Sequence, residues 1–150
     1  TYTDTEGRWA LEMPSLWRVV QESPTQTTFV DPLGMGFGVV TMPESKLVLR
    51  PASNERWADR PRIIRNGESQ IQEMVLRAQE KEGRVGRFKF GIVGKRRSII
   101  LVLDCEEDLM REYRGLAERM AVGFRILNDD GGGASEAAAS SPPATAPQPQ

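Results

Sequence analysis

Trp9, Leu11 and Met13 alternate with Arg8, Ala10 and Glu12, the two-residue period of a half-buried strand, and Pro14 ends that strand because it cannot donate to a ladder. Apolar stretches at 16–20 and 27–30, separated by Glu22-Ser23-Pro24, predict two neighbouring antiparallel strands. Asp31-Pro32-Leu33-Gly34-Met35-Gly36 then reverses the chain into a strand at 37–42. Residues 43–66, with Pro43, Pro51 and Pro61, read as loop with at most one helical turn. From 68 to 82, Ile71, Met74, Val75 and Ala78 fall at helical spacing and Gly83 supplies a stop, so an amphipathic helix is expected. Phe88, Phe90 and Ile92 alternate with Arg87, Lys89 and Gly91, and Gly94-Lys95-Arg96-Arg97 turns this strand into a second one at 98–104. Residues 99–103 are apolar on both faces, so that strand needs cover on both sides. A second helix is expected at 106–122, opening on Glu106, Glu107 and Asp108 near its positive end and carrying Leu109, Tyr113, Leu116 and Met120 on one stripe. Gly123 stops it, and 124–127 form a last short extended segment.

Strands, helix, hairpin, helix, strand is the order of an α+β sandwich built on an antiparallel sheet. Composition sets its limits. Residues 128–150 carry Asp129, Asp130 and Glu136, no base, four of the ten prolines and no large apolar side chain, so they are expected to be a disordered, acidic, Ala/Ser/Pro-rich tail behind a folded domain at 1–127. The whole chain has 20 bases and 21 acids; without the tail's three acids the body stands near +2.

The absence of histidine removes every Ser-His-Asp, Cys-His and HExxH arrangement and every imidazole metal ligand. One cysteine, Cys105, excludes an internal disulfide and CxxC chemistry, and fits an apolar filler. No apolar run approaches the roughly 20 residues that span a bilayer. Gly34, Gly36 and Gly38 precede a strand rather than a helix, so a phosphate there would lack an amide cradle, and the stretch 91–95 misses P-loop spacing. Asp104, Glu106, Glu107, Asp108 and Glu112 lack the acid spacing and loop glycine of an EF-hand and read as the acidic start of a helix.

The strongest surface signal is basic. Arg84, Arg87, Lys89, Lys95, Arg96 and Arg97 are six bases with no acid among them, and the hairpin is expected to bring the ends of this cluster near each other. A solvated strand face and a docking patch are both consistent with it; Phe88 and Phe90, on the opposite alternation, belong to the core rather than to a stacking surface for bases. Arg50, Arg56, Arg60, Arg62 and Arg65 form a looser basic region around Trp57, which is either part of a docking loop or a plug over the core.

Tyr2, Gly7, Trp9, Pro14 and Trp17, followed in order by the stretches 27–32, 37–43 and 123–127, resemble the PsbP family, extrinsic lumenal proteins of photosystem II, and its PsbP-like relatives. The resemblance covers most of the folded region. It implies an α/β/α sandwich around a central antiparallel sheet and a non-catalytic protein of the chloroplast thylakoid lumen, peripheral to the membrane. Such a protein docks on a membrane-embedded photosystem and supports the oxygen-evolving complex or photosystem assembly. It implies no small-molecule substrate, no nucleic acid and no metal-binding residues in this chain, calcium and chloride being retained at the partner complex. Arg84, Arg87, Lys89, Lys95, Arg96, Arg97, Arg56, Trp57 and Arg60 are then the expected partner-binding residues. The missing histidines and the tail point to a divergent PsbP-like member, which keeps a second role open as a subunit or assembly factor of photosystem I or the NADH dehydrogenase-like complex. A nucleic-acid-binding basic module is the alternative of another class, and it requires an exposed Phe88 or Phe90.

Overall fold

The computed structural model describes residues 1–42, 47, 49–66 and 69–127. Eleven strands and one α-helix are formed among them: β1 (Tyr2–Thr3), β2 (Trp9–Leu11), β3 (Arg18–Glu22), β4 (Gln26–Val30), β5 (Gly36–Met42), β6 (Glu55–Trp57), β7 (Arg62–Asn66), β8 (Ser69–Glu80), β9 (Gly83–Val93), β10 (Ser98–Glu106), α1 (Met110–Val122) and β11 (Arg125–Ile126). The large sheet runs β3-β4-β5-β10-β9-β8-β6, with β7 sharing the outer edge of β8, and a small sheet runs β1-β2-β11. Every pairing is antiparallel.

Register sorts the side chains of the large sheet onto two faces. Leu103 lies opposite both Phe37 and Phe88, Leu101 opposite Val39 and Phe90, and Val75 opposite Phe88. These residues and Phe29 make one apolar face, on which Ala117, Met120 and Ala121 of α1 and Trp9 and Leu11 of β2 close the core. The aromatic signature of the N-terminal segment builds that closure. Trp9 stacks on Phe124 with ring centroids 5.5 Å apart, Tyr2 meets Phe29 edge-on at 5.1 Å, and Trp17 meets Phe37 at 5.7 Å. Gly7, at φ +69°, makes the turn that lets β2 return beside β1. At the β4–β5 turn, Asp31 accepts from the backbone N–H groups of Leu33 and Met35, and Gly34 takes φ +86°.

The helix expected at 68–82 is instead β8, within the described range Ser69–Glu80, paired with β9 over ten residues. Ile71 and Val75 face the core while Met74, Leu76 and Ala78 are buried on the other face, so a strand covered on both sides imitates helical spacing. Inside the stretch expected to be loop, β6 and β7 form because they pair with the outer edge of β8, a partner invisible while 68–82 is read as helix. The second helix begins later than expected. β10 continues through Glu106, a 3-10 turn follows at Glu107–Leu109, and α1 starts at Met110. The strand expected at 16–20 lies at Arg18–Glu22, and the hairpin expected around 94–97 is formed by β9 and β10. The result is a large antiparallel sheet with, among the described residues, one packed helix. The expected tail at 128–150 lies outside the described residues.

Candidate interaction site

The β9 bases do not form one exposed patch. Arg87 projects from the face opposite α1 and binds Asp104, its cross-strand neighbour, through both carboxylate oxygens, Nε to Oδ1 at 2.7 Å and Nη2 to Oδ2 at 2.9 Å. Its Nη1 donates to Glu55 Oε2 at 2.8 Å and its Nη2 to Glu80 at 3.1 Å. Lys89 Nζ donates to Glu55 Oε1 at 2.8 Å, and the backbone N–H of Ala52 donates to the same oxygen. The Glu55 side chain is 1% exposed. Burial pushes the Glu55 carboxyl up, but the Ala52, Lys89 and Arg87 donors outweigh it and hold the group below its ordinary range. Hydrogen bonding to Asp104, opposed by burial and reinforced by Glu55, drives Arg87 above its ordinary value. Arg87 and Lys89 thus fasten β6, β8, β9 and β10 together.

The remaining bases separate to the two ends of β9. Ten residue steps along β9 separate Arg84 from the Gly94 turn, about 33 Å at the rise of an extended chain, so the expected meeting of the cluster's ends does not occur. A two-stranded hairpin brings together its strand partners, not the start of one strand and its own tip. At the tip, Gly94 N–H donates to Arg97 O and Arg97 Nη1 donates to Leu127 O at 3.1 Å, with Lys95 and Arg96 exposed beside them.

At the other end, Arg84 joins two residues of the second basic region. Arg56, Trp57 and Arg84, with Asn54, Arg77 and Gln79, line a cleft of about 490 Å³. Trp57 is 44% exposed and so lines the cleft instead of plugging the core. It also borders a shallow recess with Arg60 and Pro61. Arg77 and Arg84 converge on Glu107, at 3.0 and 2.7 Å. The two guanidiniums hold that carboxyl below its ordinary range, Arg84 by hydrogen bond first. Arg77 escaped sequence reasoning because the helical reading of 68–82 gave it no strand neighbours. The alternation of Arg77 against Leu76 and Ala78 was the available signal.

Two further acids are nearly fully buried and matched by cations: Asp4, which accepts from Arg8 Nε at 2.7 Å, and Glu73. Glu73 accepts from Arg62 and Arg114, each at 3.0 Å, and those arginines reach on to Glu118 and Asp59. Burial, then the nearby carboxylates, pushes the Cys105 thiol up to about 12, which removes its nucleophilicity at neutral pH. Among the described residues no three His, Cys, Asp or Glu side chains form a candidate metal cluster, and no helix is long and apolar enough to cross a membrane.

No protein-family model matches the chain, and no curated protein matches it. Solved structures do. The solution structure of cyanobacterial PsbP (CyanoP) from Synechocystis sp. PCC 6803 superposes with a TM-score of 0.64 at 15% identity, over 83% of this chain and 90% of that one. A crystal structure from Bacteroides thetaiotaomicron VPI-5482 gives a TM-score of 0.61 at 10% identity, over 85% of this chain and 48% of that one. At such identities the likeness concerns the fold, and the fold of this chain is PsbP-like.

Proposed function

We propose that this chain is a non-catalytic extrinsic protein of the thylakoid lumen. In this reading it docks on photosystem II and supports the oxygen-evolving complex or photosystem assembly. The observation that carries the reading is the PsbP-like fold shared with cyanobacterial PsbP over 83% of the chain. Supporting it, the aromatic residues of the N-terminal signature help close the core, and the buried Glu55 and Glu73 are matched by cations instead of converging on a cavity. Docking would use the two basic ends: Arg56, Trp57, Arg60 and Arg84 at one, and Lys95, Arg96 and Arg97 at the other. Calcium and chloride would be retained at the partner complex, not by this chain.

The absence of histidine favours a second reading within the same class, a PsbP-like subunit or assembly factor of photosystem I or the NADH dehydrogenase-like complex. The nucleic-acid alternative loses its stacking platform, since Phe88 and Phe90 are 0% and 2% exposed. Sedimentation with photosystem-enriched thylakoid membranes across a salt series tests the proposal. Reversing Arg56, Arg60 and Arg84 to Glu, or Lys95, Arg96 and Arg97 to Glu, is expected to weaken association and flatten its salt dependence. Association that is absent in the unaltered protein, or that neither triple variant changes, overturns it. Which solubilised complex co-purifies then separates the first reading from the second.

A further inference from the structure

Three adjacent strands place a guanidinium on one corner of one sheet face: Arg56 on β6, Arg77 on β8 and Arg84 on β9. Arg56 lies directly opposite Arg77 in the β6–β8 register. Like charges directly opposite across a sheet work against its stability in the free protein. Glu107 answers Arg77 and Arg84 with one carboxylate. Among the described residues no ion pair answers Arg56. The cleft they line with Asn54, Trp57 and Gln79 contains no acid of its own and, at about 490 Å³, is far larger than a bare anion needs. Trp57, opposite Leu76 on the other pleat of β6, borders the cleft at the edge of the sheet.

We infer that this cleft is a carboxylate-binding site for an acidic segment of a protein partner, with Arg56 as its first contact and Glu107 as a built-in competitor. The inference deepens the docking proposal and rests on it for the nature of the partner. Guanidinium forks match carboxylates in a planar, two-point geometry, and Glu107 already shows Arg84 using both Nε and Nη2 in this way, at 3.3 and 2.7 Å. An incoming carboxylate would sit between Arg56 and Arg77, relieving their mutual repulsion. A second carboxylate along the segment would displace Glu107, whose side chain is 24% exposed and can swing to solvent. Trp57, at the border of the cleft, would report its occupation.

The full chain titrated with an N-acetylated, C-amidated hexaglutamate peptide, followed by tryptophan fluorescence and calorimetry, tests this. Binding is expected to weaken about tenfold in Arg56→Ala, partly recover in Arg56→Lys, and tighten about fivefold in Glu107→Gln. The fluorescence response should vanish in Trp57→Phe, because Trp9 is buried and Trp17 lies on Phe37. Hexaglutamate that does not bind the unaltered chain, or binds Arg56→Ala and Glu107→Gln with unchanged affinity, overturns the inference. Inorganic phosphate binding as tightly as the peptide also overturns it, since the site would then read a small anion. Each of these failures with membrane sedimentation intact leaves the docking reading standing; loss of sedimentation with peptide binding intact removes that reading alone.

Discussion

Glu55 shows how much of this protein's charge is internal wiring. Its carboxylate, nearly without solvent, receives Arg87, Lys89 and the Ala52 amide. Replacement by alanine leaves two enclosed cations without their shared acid, and Glu55→Ala is expected to cost about 3 kcal/mol in urea denaturation. The same site predicts an acid limb. The folded-state pKa of Glu55 is depressed below its ordinary value of 4.5, so its contribution is complete above that value and is lost as the pH falls through the folded value. Urea midpoints measured from pH 7 down to pH 3 should therefore fall on the acid side, and Glu55→Gln should flatten part of that fall. Cys105 makes a different statement at this scale. With its thiol pushed up to about 12 in the core, it should resist a thiol reagent at pH 8 in the native protein and react fully in denaturant. Reaction at the native rate of a free thiol would place Cys105 outside the core.

At the scale of elements, β8 and β9 carry the lesson of competing codes. Gln, Glu, Met, Leu, Arg and Ala are good helix formers, and residues 70–80 are composed largely of them. Twelve residues of strand form anyway, because β8 has a partner on each side and buries apolar residues on both faces. Against that, local preference amounts to tenths of a kcal/mol per residue. β9, by contrast, is legible from its alternation, since only one of its faces is apolar. Its Gly86 also sets how close α1 can come. A methyl group there would meet Met110 Cγ at 2.2 Å and Sδ at 2.7 Å, in the middle of a side chain held against the sheet. Gly86→Ala is expected to destabilise by about 1–3 kcal/mol, and Gly86→Ala combined with Met110→Ala should regain part of that loss; additive losses in thermal denaturation would show that α1 is not held off by this contact.

For the whole molecule, the two basic ends of β9 lie about 33 Å apart, beyond three Debye lengths at physiological salt, so they act as separate patches. Charge reversal at one end should leave the salt dependence contributed by the other unchanged, a separation the sedimentation series can measure. Residues 128–150 contain no large apolar side chain, and composition alone predicts that deleting them leaves the melting temperature of the chain unaltered. A fall of several degrees on deletion would extend the folded unit past residue 127.

The sequence by itself determined the class of fold, the β9–β10 hairpin, the region of the closing helix and the core-facing Trp9, Phe88 and Phe90. Each of those rests on local alternation, turn chemistry or large apolar side chains, which act over a few neighbouring residues. It also singled out Arg56, Trp57 and Arg84 by charge and aromatic content, although from separate stretches. Only the tertiary structure decided that 69–80 is a strand, that Arg87 and Lys89 are spent on Glu55 and Asp104, and that Arg77 stands opposite Arg56. Strand partners are chosen across the sheet by residues distant in sequence, and whether a charge is free or paired depends on which partner that choice delivers.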